Sequence, residues 1–170
     1  MNFTISSLDL EAFESLPPHT RRCVFWEVDP TFTNAAPTPP DDDPSPVRGS
    51  ASSTEVPAGP ASLTNFESEF DKEAWMSSVL LEWGTCGQIA IDSSTGVVVG
   101  AALYAPPGRV PRSRSFPTSP VSADAVLLMT GHVLPDFQGG GLGRVLVQGL
   151  AKDLVRRGVR AIEASAAEIA

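Results

Sequence analysis

Apolar and polar residues alternate along NFTISSL, near the start of the chain, at the period of a half-buried strand. DLEAFESL then repeats apolar residues at helical spacing behind Asp9 as N-cap, which predicts a short helix. CVFWEV is β-branched and aromatic and reads as a second extended piece, stopped at Asp29-Pro30 because a residue before proline avoids the helical region. In NFESEFDKEAWMSSVLLEWG, Phe66, Phe70, Trp75, Val79, Leu80 and Trp83 recur at helical spacing, acids crowd the first turn and Gly84 supplies a stop, so a longer helix is predicted. CGQIAI and VVVGAALYA, joined by the turn-rich DSSTG, predict a hairpin whose nearly continuous apolar character implies burial on both faces. DAVLLMTGHVLP predicts a strand ended by Pro135. From Leu142, apolar positions 142, 145, 146, 150 and 154 define one face of a helix that Gly158 ends, and VRAIEA alternates again as a strand. A helical crossover between two strands makes them parallel, so the chain has the pattern of a mixed α/β fold.

Two stretches interrupt this pattern. Residues 34–64 are rich in proline, serine and alanine and nearly devoid of large apolar groups, and such a segment cannot bury enough surface to offset its ordering entropy. It reads as a disordered or polyproline-like insertion, with a docking peptide for another protein as the functional alternative. PPGRVPRSRSFPTSPVS carries prolines that exclude a central strand and three arginines within 109–114. It reads as a solvated flexible loop, or as a lid or anion-recruiting surface.

At 170 residues and 42% hydrophobic content, the chain can bury one ordinary core, so 1–170 is read as a single domain carrying that insertion. A net charge of −8 argues against nucleic acid as a partner, which would need clustered cations. The acid is concentrated before Trp75, whereas Arg109, Arg112, Arg114, Arg144, Lys152, Arg156, Arg157 and Arg160 leave the second half close to neutral; an anionic ligand belongs there. The two cysteines, Cys23 and Cys86, form neither a disulfide framework nor a zinc spacing, and each reads as a buried free thiol; no metal is expected. Asp9, Glu11 and Glu14 stand where a signal peptide needs basic and then apolar residues, and no apolar run reaches membrane-spanning length, so a cytoplasmic chain with no membrane partner is expected.

The remaining question is why DFQGGGLGRV places four glycines where a helix is about to begin. The first peptide N–H groups of a helix lack internal partners and carry the positive end of its dipole, and glycine lets the backbone touch a phosphate with no Cβ in the way. The stretch therefore reads as a pyrophosphate cradle. It is not a nucleoside-triphosphate loop, because Arg144 and Val145 stand where Lys and Ser or Thr would be required. Nor is it a dinucleotide fingerprint, because the third glycine of that pattern falls on Arg144 or Leu146.

Gln138, Gly141 and Gly143 do form Q-x-x-G-x-G, and HVLPDF precedes them. This resembles the acetyl-coenzyme A motif of the GNAT superfamily of N-acetyltransferases, in which a valine, a residue and a proline end the fourth strand before the loop. The resemblance is close over LLMTGHVLPDFQGGGLGRVLVQGLAKDLVRRGVRAIEA and looser before it. It implies a GNAT-like acyl-CoA N-acyltransferase fold of mixed α/β (α+β sheet) type, with acetyl-CoA as cosubstrate and a small-molecule or protein amine as acceptor. It also implies that backbone N–H groups of Gly139, Gly140, Gly141, Leu142, Gly143 and Arg144 hold the pyrophosphate, with Gln138 at the loop entrance. Val133 would offer its main chain to the pantetheine where the fourth and fifth strands splay, and Gly131 would mark the bulge that starts the splay.

In that family the amine attacks the thioester directly, which asks the protein to position reactants, polarise the carbonyl and manage protons. A backbone N–H near Val133 is the expected oxyanion donor. A lysine-like amine is protonated at neutral pH, with a pKa of about 10.4, so a base must take its proton. His132, Glu163 and Glu82 are the candidates, each with a purely structural alternative. The family continues past the fifth strand with a helix and two strands that often provide a tyrosine acid, whereas this sequence stops at SAAEIA and has Tyr104 as its one tyrosine. The expectation is a C-terminally incomplete domain whose last strand is covered by a homodimer or another partner. The alternative function is a non-catalytic acetyl-CoA-binding or regulatory module that lost the acceptor half.

Overall fold

The computed structural model describes residues 2–29 and 67–165, and the expected insertion at 34–64 lies outside the described residues. Five strands, β1 (Phe3–Ser7), β2 (Gly87–Asp92), β3 (Val98–Ala105), β4 (Ala125–Val133) and β5 (Ala161–Ala164), pair in sequence order in one sheet. β1 to β4 form an antiparallel meander, and β5 adds parallel to β4. Helices cover both faces: α3 (Leu142–Arg156) on one, α1 (Pro18–Arg22) and α2 (Glu69–Trp83) on the other. β3 is buried along its whole length, as expected of a central apolar strand.

The α3 stripe is Leu142, Leu146, Leu150 and Leu154, each at most 2% exposed, whereas Val145 is 41% exposed. Gly149 lets α3 settle on β1, since a Cβ there would stand 2.7 Å from Ile5 Cγ2. On the opposite face Met76 and Val79 of α2 pack with Ile89, Leu103, Leu127 and Met129. Ser68 caps α2 by accepting from Asp71 N–H at 3.1 Å, and Gly84 ends it in the left-handed region. The predicted α2 face is partly displaced: Phe70 is 79% exposed, and Lys72 occupies the buried stripe instead.

Two further elements differ from their sequence patterns. The DLEAFESL helix is a turn, in which Asp9 Oδ1 accepts from Ala12 N–H at 2.8 Å, followed by a 3-10 turn at Phe13–Ser15. It cannot lengthen because Pro17 and Pro18 start α1 immediately afterwards. CVFWEV is not a strand. Only Cys23 makes a bridge, to Glu67, and the following residues turn so that Val24 and Trp26 are buried, Trp26 on the α2 side of the core and stacked on Phe116 at 5.2 Å. The arginine-rich loop is likewise packed rather than free: Val110 and Ser113 are buried, and Trp75 Nε1 donates to Arg109 O at 2.8 Å. Arg112 Nε donates to Phe25 O, and its guanidinium lies over the Phe25 ring.

Cys86 is fully buried, and burial pushes its thiol up to about 12, so it stays protonated; Cys23 is only partly buried. Among the described residues no helix is long and apolar enough to cross a membrane, and no cluster of His, Cys, Asp or Glu could hold a metal ion.

Candidate functional site

The loop between β4 and α3 presents a row of unused donors. Pro135–Phe137 forms a 3-10 turn in which Phe137 N–H and Gln138 N–H bond to Leu134 O and Pro135 O. After it, the N–H groups of Gly139, Gly140, Gly141, Leu142, Gly143 and Arg144 make no hydrogen bond among the described residues, and the first helical bond runs from Val145 N–H to Gly141 O. Gly139 and Gly141 adopt φ of 81° and 82°, and Gly141 is the N-cap of α3. A Cβ built at position 139, 140, 141 or 143 would meet no atom within 4 Å, so the mouth of the helix opens onto room for an anion. Arg144 is exposed and unpaired among the described residues. By contrast, Arg109 pairs with Glu82, and Arg157 is held by Asp153 at 2.9 Å and Trp83 O at 3.0 Å. The local chemistry fits a pyrophosphate: several main-chain donors, the positive end of a four-turn helix dipole and one uncommitted guanidinium.

Beside this mouth the sheet opens. β5 pairs with β4 from Ala125 to Leu128 only, so the rest of β4, Met129 to Val133, has no strand neighbour on that side among the described residues. Leu134 N–H is spent on Val99 O at 2.9 Å, and strand alternation therefore turns the amide and carbonyl of Val133 away from β3, toward the opening. Gln138 does not stand free at the loop entrance; its Nε2 donates to Val133 O at 2.9 Å and ties the loop to the strand end.

A bulge sets which face each β4 side chain meets. Leu103 pairs with Thr130 and Tyr104 with Leu128, which leaves Met129 as the extra residue. The bulge is thus at Met129, two residues before the glycine that suggested it. Leu128 and Val133, five positions apart, both pack on the α3 side, so His132 is turned to the α1 side, where its ring stacks on His19 at 5.9 Å. Burial, and then the neighbouring His19, hold the His132 imidazole below its ordinary value of 6.5.

The other candidates are elsewhere. Glu163 Oε1 accepts from Ser122 N–H at 2.9 Å, and the hydrogen bonds from Ser122 hold its carboxyl below the usual range. It belongs to the end of β4 opposite His132, and the fold does not bring the two together. Tyr104 is fully buried beneath α3; its hydroxyl donates to Asp153 Oδ2 at 3.0 Å and lies within reach of Gln88 and Thr85. This network went unread in the sequence because it joins residues 49 apart that show no shared motif. His19 was missed too, although it and His132 are the chain's two histidines.

Residues 59–169 match the family model described as Acetyltransferase (GNAT) family. No curated protein matches the chain by sequence. Among solved structures, the chain is similar to AAC(6')-Iy in complex with the bisubstrate analog CoA-S-monomethyl-acetylneamine, at 15% identity over 99% of this chain and 82% of that one, with a TM-score of 0.54. It is similar to an N-acetyltransferase from Staphylococcus aureus Mu50, at 15% identity over 96% and 73%, TM-score 0.54. It also resembles YncA from Salmonella typhimurium with its cofactor acetyl-CoA, at 18% identity over 96% and 69%, TM-score 0.54. At these identities the likeness is one of fold.

Proposed function

The chain belongs to the GNAT acetyltransferase family, and from that premise we propose that it transfers the acetyl group of acetyl-CoA to a primary amine by direct attack. The observation that carries this reading is the run of unpartnered N–H groups from Gly139 to Arg144 at the mouth of the β4–α3–β5 crossover. Those donors hold the pyrophosphate, with Arg144 adding a charge-assisted contact. The unpaired margin of β4 accepts the pantetheine as a strand would be accepted, and Val133 N–H stabilises the oxyanion that forms when the amine attacks. Gln138 keeps the strand end and the loop in one fixed arrangement, so these donors need not reorganise during the reaction.

His132 is the proposed base. The Met129 bulge turns it to the face opposite α3, so the acceptor approaches from the α1 side while the nucleotide rests on the α3 side. A neutral imidazole is what a proton acceptor requires, and the depressed His132 supplies one at pH 7. Glu163 is a poorer choice because Ser122 stabilises its ionised form and weakens it as a base.

The test is calorimetric titration with acetyl-CoA together with thiol release across a panel of small amines and peptides. Binding with turnover on at least one amine is expected. Binding without turnover on any amine would leave a coenzyme-binding module, and no binding would end the assignment. The pH profile gives a second expectation. Protonation removes the base, so kcat/KM should fall on the acid side with an inflection below 6.5, and His132→Gln should abolish that limb.

A further inference from the structure

His19 stands on the five-residue helix α1, 113 positions before His132, yet the two rings lie nearly parallel, with 5.9 Å between centroids and 25° between planes. This placement is built rather than incidental. Pro17 and Pro18 start the helix, and Leu16, Pro17 and Thr20 are buried beneath it. Arg21 Nε donates to Glu69 Oε1 at 2.9 Å and its Nη1 to Glu14 O at 2.8 Å, while Ser68 N–H donates to Arg22 O at 2.8 Å. α1 is thereby clamped to the start of α2, and the exposed His19 lies beside the half-buried His132.

We propose that His19 is a positioning residue for the reaction, its ring held nearly parallel to that of His132 so as to fix the plane of that imidazole. The inference rests on the assignment of His132 as base. Stacking, as opposed to edge contact, decides how His19 acts. No hydrogen bond joins the two imidazoles among the described residues, so His19 is not placed to relay a proton to or from His132. It acts through orientation and charge. Two imidazolium rings at this separation repel, and the half-buried setting of His132 weakens the screening. From β3, His132 faces Ala101, which carries no charge; His19 is the titratable group whose field acts on it, in addition to burial.

The experiment compares the full-length chain with His19→Phe, which keeps a flat ring without charge, and His19→Ala, which removes both. The readouts are the NMR titration of the His132 ring without ligand and the pH profile of kcat/KM for acetyl transfer. His19→Phe should shift the His132 midpoint to higher pH and carry the acid limb of the profile with it, so that activity falls near pH 6 and is retained near pH 8. His19→Ala should show the same shift and a lower high-pH plateau, about threefold to tenfold down, because the ring is no longer held in plane. His19 is exposed, so both variants should keep the parent's melting temperature within a few degrees. A midpoint unchanged in His19→Phe would overturn the coupling and leave His132 as base untouched. A midpoint that moves while the acid limb stays would instead overturn the role of His132, and the positioning role with it.

Discussion

Gly143→Glu should weaken acetyl-CoA binding at least about a hundredfold while leaving the melting temperature within a few degrees of the parent. Position 143 is the place to make this change because the backbone tolerates it. Gly143 lies in the first turn of α3 without a positive φ, and a Cβ there meets no atom within 4 Å. Exchanging glycine for a residue of higher helix propensity favours the helix. Side chains on a helix lean toward its N-terminus, so the new carboxylate would stand at the mouth of the crossover, over the donors of Gly139 to Arg144. A phosphate there would lose one or more charge-assisted hydrogen bonds, each of about 1.5–3 kcal/mol, and would meet a like charge in addition. About 3 kcal/mol is a little over a hundredfold in Kd. Gly141→Glu would be less clean, since its φ of 82° adds backbone strain to the electrostatic effect. Gly143→Ala is the companion control and should keep most of the affinity. Calorimetry and thermal unfolding on the same samples separate the terms, and a Kd within threefold of the parent in Gly143→Glu would remove the cradle from the site.

Local chemistry made the glycine-marked junction of β4 and α3 legible, whereas long-range chemistry hid the surroundings of His132. Glycines before an apolar-periodic run mark a strand-to-helix junction within a few residues, the continuous apolar runs of β2 and β3 read as buried strands, and the leucine stripe of α3 follows from helical period. The orientation of His132 depends instead on a bulge at Met129 that only the pairing of β4 with β3 reveals, since methionine gives no local sign of an irregular strand. The partner of His132 comes from α1, which the proline pair rather than the apolar spacing of DLEAFESL starts. CVFWEV was misread for a related reason. Its aromatic content suits a strand, but the same groups serve equally well as a plug in turns, and tertiary packing decides between the two.

Lys72→Ala should destabilise the protein by about 3–5 kcal/mol, a large share of the roughly 5–15 kcal/mol that holds a typical domain folded. Lys72 sits on the buried stripe of α2, four residues before Met76 and seven before Val79, at 1% side-chain exposure, and its Nζ bonds to Glu27, itself 4% exposed. A lysine at a core-facing position of a helix is the sequence sign of such a pair, although its partner lies 45 residues away in the turns after α1. Removing one member takes the Lys72 hydrogen bond from Glu27 Oε1 and leaves a carboxylate in the core whose Oε2 already lacks a partner among the described residues. The pH dependence identifies the cause. Burial pushes the Glu27 carboxyl above its ordinary 4.5 even with Lys72 pulling it down, so the folded chain holds that proton more tightly than the unfolded chain does. A raised carboxyl contributes stability below 4.5 that is lost as pH rises through its folded value, and without Lys72 the loss is larger. The deficit of Lys72→Ala measured by urea unfolding should therefore grow between pH 5 and pH 8. Glu27→Leu combined with Lys72→Met should recover most of the stability at both values, since an apolar pair of similar volume removes the uncompensated charge. A deficit under about 1 kcal/mol, or one independent of pH, would mean that the pair is not what seals this side of the core.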